Sequence, residues 1–131
     1  NSPEKDFRMR KQPLMLAKRL SVVMREQDTN YLFILGDIIN QWSASPQIME
    51  VLVDFYKSLI EDNPDIVIGY ILGQHDMRLY DDYGEDNSYV HLVARMFPKN
   101  VFYMHDKYLN LNGTEIYLSS YNRKDILYPK N

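Results

Sequence analysis

The chain is 131 residues long, 45% hydrophobic and 13% aromatic, enough for one globular domain with a real core and too little for two ordinary ones. Its 15 Lys and Arg against 18 Asp and Glu leave a formal net charge of -3, which excludes a uniformly basic surface that coats nucleic acid but not a local basic cluster. With no cysteine, disulfides, thiolate catalysis and sulfur-ligated zinc are excluded as well.

No apolar run approaches the roughly 20 residues that span a bilayer, and no charged start followed by an apolar stretch marks a signal peptide. The expectation is a soluble, cytoplasmic protein with no membrane partner. The sequence opens at Asn1 without Met and closes in LYPKN with no capping pattern at either edge. It reads as a single domain over 1–131, an incomplete portion of something longer.

From Pro13, Leu16, Leu20 and Val23 recur at helical spacing, with Pro13 acceptable in a first turn, and predict an amphipathic helix reaching about Gln27. YLFIL (Tyr31 to Leu35) is a short apolar run bounded by DTN and Gly36, and predicts a buried strand of a sheet covered on both faces. Ser45 as N-cap and Pro46 at the first helical position open a second helix, with Ile48, Val51, Leu52, Phe55 and Leu59 on one face. A second strand follows over Asp65 to Leu72. Strand, long crossover and strand imply a right-handed parallel βαβ unit. Beyond a polar loop, a third helix is predicted with Tyr89, Val93, Met96 and Phe97 inward, then a strand at NVFYM. KYLNLNGTEIYLSS places Asn112-Gly113 between two alternating runs, the signal for a two-residue hairpin.

Ligands of open α/β sheets gather outside the carboxyl ends of parallel strands. Both predicted parallel strands end there in Gly plus polar residues: LGDIIN (Leu35 to Asn40) and LGQHD (Leu72 to Asp76). A sharp turn at glycine lets Asp37, or Gln74 and His75, project into a shared site. Carboxylate and amide oxygens suit hard divalent cations, and His serves metals or proton transfer.

This pair resembles the signatures of the calcineurin-like metallophosphoesterases. Gly36-Asp37-Ile38-Ile39-Asn40 matches the family's Gly-Asp-x-x-Asp/Asn, and Gly73-Gln74-His75-Asp76 matches Gly-Asn-His-Asp/Glu at all but one position. Gln74 stands where the family has Asn, keeping the amide but adding one methylene, about 1.5 Å of reach. The family's upstream Asp-x-His and later histidine signatures have no counterpart within these 131 residues. The resemblance implies the parallel βαβ core of a four-layer α/β metallophosphoesterase fold, ending here in a β-hairpin. It further implies two divalent metal ions, Mn2+ by preference, bridged by Asp37, with Gln74 giving an amide oxygen to one of them. His75 would stabilise the transition state or protonate the leaving oxygen, Asp76 would orient its ring, and Asn40 would support the ligands from behind. The implied reaction is in-line attack on a phosphoester by metal-activated water.

Within that family the chain is most similar to the nucleases that partner an SMC-like ATPase in double-strand-break repair and recombination, including bacteriophage versions. That similarity rests on an Arg- and Lys-bearing helix ahead of the Gly-Asp strand and on the acid form of the Gly-x-His-Asp turn. DNA or another phosphoester is then the substrate, an SMC-like ATPase subunit a partner, and a homodimer an assembly open to it. Two other readings stand beside this one. A catalytically silent module of the same fold that binds a protein or DNA partner is motivated by Gln74, and an unrelated flavodoxin-like sheet needs one five-stranded parallel sheet.

His91 and His105 match no family position and read as packing or surface residues. The acidic run DDYGED (Asp81 to Asp86) lacks calcium-loop spacing and reads as a solvated turn ending in a helix cap. Arg8, Arg10, Lys11, Lys18 and Arg19 suit either a phosphate backbone or a solvated face. Phe7, Tyr80, Tyr83 and Tyr89 suit either base stacking or ordinary packing.

Overall fold

The computed structural model describes residues 3–36, 46–73 and 89–120, with side chains over 11–36, 47–73 and 89–120. In chain order these form α1 (Pro3–Glu26), β1 (Tyr31–Leu35), α2 (Pro46–Asp62), β2 (Val67–Ile71), α3 (Tyr89–Ala94), β3 (Val101–Tyr103), β4 (Lys107–Leu111) and β5 (Thr114–Leu118).

Helix α1 does not begin at Pro13; ten further residues precede it. Pro13 removes one backbone donor inside the helix, and the stretch before it, with Lys, Arg, Gln, Glu and Met and no glycine, is made mostly of good helix formers. Its inward face also differs from the expected one. Ala17, Ser21 and Met24 are buried, Leu20 packs at the margin of the core, and Leu16 and Val23 are half-exposed. The small side chains at 17 and 21 sit on one face, one turn apart, and let α1 lie against α2, which turns its bulkier neighbours aside. The helix ends in a double backbone closure, Thr29 N donating to Met24 O and Asp28 N to Arg25 O, with Asp28 in the left-handed conformation (φ 51°). A salt bridge from Lys18 Nζ to Asp62 Oδ1 at 3.0 Å joins α1 to the end of α2.

Helix α2 begins at Pro46 as expected, and Ser45 lies outside the described residues. Leu52, Phe55 and Leu59 are buried, Ile48 packs against the core and Val51 is half-buried, the predicted stripe; Tyr56 joins them, fully enclosed. Edge-to-face ring contacts run from Phe55 to Tyr56 and on to Phe97 at 5.8 and 5.7 Å.

Strands β1 and β2 are parallel, Tyr31 opposite Val67 through Leu35 opposite Ile71, and β3 pairs parallel to β2 on its other side. The βαβ unit and the strand at NVFYM are therefore present. Among the described residues the order β1-β2-β3 leaves β2 central, with Ile68, Gly69 and Tyr70 buried, and puts β1 at an edge. The expectation that β1 is buried is corrected: Tyr31 and Leu35 are exposed, and the three residues between them are half-buried. Among the described residues β1 has a paired strand on one side, where β2 has one on each.

Helix α3 turns Val90, His91, Val93 and Ala94 inward, with Phe97 packed against the core. Val93 and Phe97 face as expected, whereas Tyr89 and Met96 are exposed. The buried stripe at 90, 93, 94 and 97 keeps helical spacing but is rotated from the expected face.

Strands β4 and β5 form an antiparallel hairpin with Leu111 opposite Thr114. Asn112 and Gly113 both take positive φ (53° and 88°), the conformation of a type I′ turn, and Asn110 Oδ1 accepts a bond from Gly113 N at 2.9 Å. The hairpin is a separate two-stranded sheet. A mixed α/β architecture with a three-stranded parallel sheet and an antiparallel hairpin is what the described residues form, not a single five-stranded parallel sheet. None of their helices is long and apolar enough to cross a membrane.

Candidate functional site

The residues that carry the expected chemistry, Asp37, Asn40, Gln74, His75 and Asp76, lie outside the described residues, as do Tyr80, Tyr83 and the acidic run 81–86. The structure instead describes the two glycines that lead into them. Gly36 follows β1 in a conformation (φ 98°) that L side chains rarely adopt, and a Cβ built on it would lie 2.8 Å from Gly73 Cα and 2.9 Å from Gly73 N. Contacts that short do not occur between real Cβ atoms and backbone, so glycine is required at 36 on two counts. The parallel register explains the meeting. Leu35 sits opposite Ile71, so both chains leave the sheet at the same level and on adjacent strands.

What fixes the end of β2 is a group of polar and aromatic side chains on its β3 side. Tyr70 OH is hydrogen-bonded to His91 Nδ1, and the two rings are 5.6 Å apart. Tyr103 packs against both, with centroids 5.3 Å from Tyr70 and 4.5 Å from His91, and stacks on His105 at 5.8 Å. Tyr103 OH meets Ser120 Oγ at 2.8 Å, Leu72 N donates to Ser120 Oγ at 2.9 Å, and Ser120 N donates to His105 Nδ1 at 3.0 Å. That last bond requires an unprotonated Nδ1 on His105. The two histidines are therefore packing and hydrogen-bonding residues, as their lack of a motif suggested.

Sequence reasoning overlooked Tyr70, Tyr103 and Ser120. The signal was faint: two hydroxyl residues closing an apolar strand, 48 positions from the backbone donor that one of them meets.

On the other margin, a groove of about 770 Å³ opens beside β1 between α1 and α2, lined by Leu16, Leu20, Phe33, Leu35, Ile48 and Phe55 among others, with no charged side chain among the described residues. A smaller cleft of about 210 Å³, lined in part by Arg25, Asp28, Asn30 and Asp62, lies at the amino ends of the strands, away from the two glycines. The basic residues of α1 whose side chains are described, Lys11, Lys18, Arg19 and Arg25, are all exposed, and Lys18 is engaged by Asp62. Among the described residues no three His, Asp or Glu side chains gather as a metal site.

Compared with known proteins, the chain matches no family model and no curated sequence.

Proposed function

We propose that the chain is a metal-dependent phosphoesterase, with DNA as its substrate, built on the βαβ core of a four-layer metallophosphoesterase fold. One observation carries the reading: Gly36 and Gly73 touch at the ends of adjacent parallel strands. Two signatures that are far apart in sequence thereby start from one point, at the end of the sheet where α/β proteins bind ligands.

Asp37 and Gln74 would hold the metal through carboxylate and amide oxygens, a donor set that suits hard divalent cations such as Mn2+. When bound, such a pair of ions supplies an activated water and positive charge for in-line phosphoester hydrolysis. His75 would stabilise the transition state or protonate the leaving oxygen, Asp76 would orient its ring, and Asn40 would support the metal-binding residues. For the substrate, α1 carries seven Lys and Arg against three Asp and Glu in a chain whose net charge is negative. That polarity suits a phosphate backbone lying along the helix. A cytoplasmic nuclease acting with an SMC-like ATPase subunit, as a homodimer, completes the proposal.

The test is Mn2+-stimulated cleavage of a phosphodiester by the 131-residue chain. Asp37→Ala and His75→Ala are each expected to lower the rate by about 100-fold or more, and unchanged rates in either variant overturn the assigned role.

A second reading, a catalytically silent module that binds a partner, is favoured by Gln74 in place of Asn and by the open apolar groove beside β1. Gln74→Asn separates the two. A gain in metal affinity or rate supports the enzyme, and no change supports the module.

A further inference from the structure

The hydrogen-bond ladder of β2 contains a substitution. On the edge facing β3, Ile68 N donates to Asn100 O, and Met104 N donates back to Tyr70 O. Residues two apart along a strand point their backbone groups to the same edge, so Leu72 N is the next donor but one after Ile68 N. Continuing the ladder one step past β3 would give it the backbone carbonyl of Met104. It meets the side chain of Ser120 instead, beyond the last residue of β5.

Leu72 is 0% exposed and Ser120 5%, so water cannot replace that acceptor without opening the fold. Ser120 is itself held from two further directions, by Tyr103 OH and, through its own N–H, by His105 Nδ1. A hydroxyl has one proton to donate and two lone pairs to accept with, so Ser120 Oγ can take the Leu72 N–H and the Tyr103 contact together. The residue after Leu72 is Gly73, whose backbone lies against Gly36.

We propose that Ser120 is a positioning residue: its hydroxyl takes the place of a main-chain carbonyl at the first residue beyond β2 and thereby holds Gly73 against Gly36. The segment just after the hairpin thereby reaches the end of β2, so the level of Leu72 and Gly73 is set from outside the strand. The clamp itself stands on the described geometry, while its catalytic consequence rests on the phosphoesterase reading.

The experiment compares amide hydrogen exchange and phosphodiester turnover in the 131-residue chain and its Ser120→Ala and Ser120→Thr variants. Ser120→Ala is expected to speed exchange at Leu72 by about tenfold more than at Ile68, whose acceptor is a backbone carbonyl, and Ser120→Thr to restore the slow rate. Equal acceleration at both amides, or none at Leu72, overturns the clamp. In an active chain, Ser120→Ala is further expected to lower kcat by about tenfold with KM unchanged, again restored by Thr. An unchanged kcat beside selective exchange at Leu72 overturns the positioning role. A wild-type chain without turnover defeats the phosphoesterase reading alone, and the exchange contrast still decides the clamp. Should Ser120→Ala not fold, Tyr103→Phe keeps the ring and removes one partner of Ser120. A selective rise at Leu72 is expected there too, and its absence counts against the proposal.

Discussion

Along β1 the parallel sheet ends in an apolar, half-open margin, where Leu35 is 67% exposed beside a groove that the described residues line without a charged side chain. Along β2 and β3 it ends in buried Tyr70, His91 and Ser120 and half-buried Tyr103 and His105, which are hydrogen-bonded in part to one another and, through Ser120, to the backbone of Leu72. The difference teaches where positional precision comes from. Apolar contact is non-directional and tolerates small shifts, whereas a hydrogen bond weakens steeply with misalignment, so a buried network specifies one arrangement. Of the two strand ends that meet at Gly36 and Gly73, both share the β1–β2 ladder, and the second is held in addition by side-chain bonds from outside the strand.

The sharpest way to break this contrast is truncation on each side. Ile68→Ala, in the buried centre of β2, is expected to cost about 2–5 kcal/mol in denaturant unfolding, whereas Leu35→Ala is expected to stay within about 0.5 kcal/mol. Similar costs at both positions would mean that the two margins are equally packed in solution. Next in size is Gly36→Ala. Positive φ and the 2.8 Å approach to Gly73 together predict a loss of about 1–3 kcal/mol, and a neutral result in thermal unfolding would show that the two strand ends do not touch.

The smallest effect concerns the Lys18–Asp62 bridge at the far end of the helices. The ammonium of Lys18 holds the Asp62 carboxyl below the usual carboxylate range. A carboxylate with a depressed folded-state value contributes stability above its unfolded value of about 4 and loses that contribution as pH falls through the folded one. Because Lys18 is largely exposed, the contribution is below about 1 kcal/mol. Asp62→Asn should therefore lower stability slightly at pH 7 and show a shallower loss below pH 4 than the parent. A parent and variant with parallel pH profiles would remove the bridge from the account.

Much of the fold was legible because its signals are local. Helix α2 follows from a periodic apolar stripe behind Pro46, the hairpin from Asn112-Gly113, and the βαβ unit from the order of runs. Other features depend on partners distant in sequence. Which face of α1 is buried is decided by the close packing that Ala17 and Ser21 permit against α2, and the brighter apolar residues Leu16 and Val23 pointed the wrong way. The exposure of β1 depends on its place in the sheet, which YLFIL cannot express. At the candidate site, the two glycine-led motifs were visible in the sequence, and the meeting of Gly36 with Gly73 is a tertiary fact. Ser120 was invisible, since no short-range pattern ties a serine to a backbone donor 48 residues away.

The central claim is that the turns beginning at Gly36 and Gly73 form one metal-binding site at the carboxyl ends of β1 and β2. Paramagnetic broadening of backbone amide signals by substoichiometric Mn2+ reads this directly. The account predicts that Gly36 and Gly73 broaden together, ahead of Gly113 in the hairpin turn, and that Asp37→Ala abolishes the effect at both. Broadening that spares either glycine, or that persists in Asp37→Ala, would contradict it.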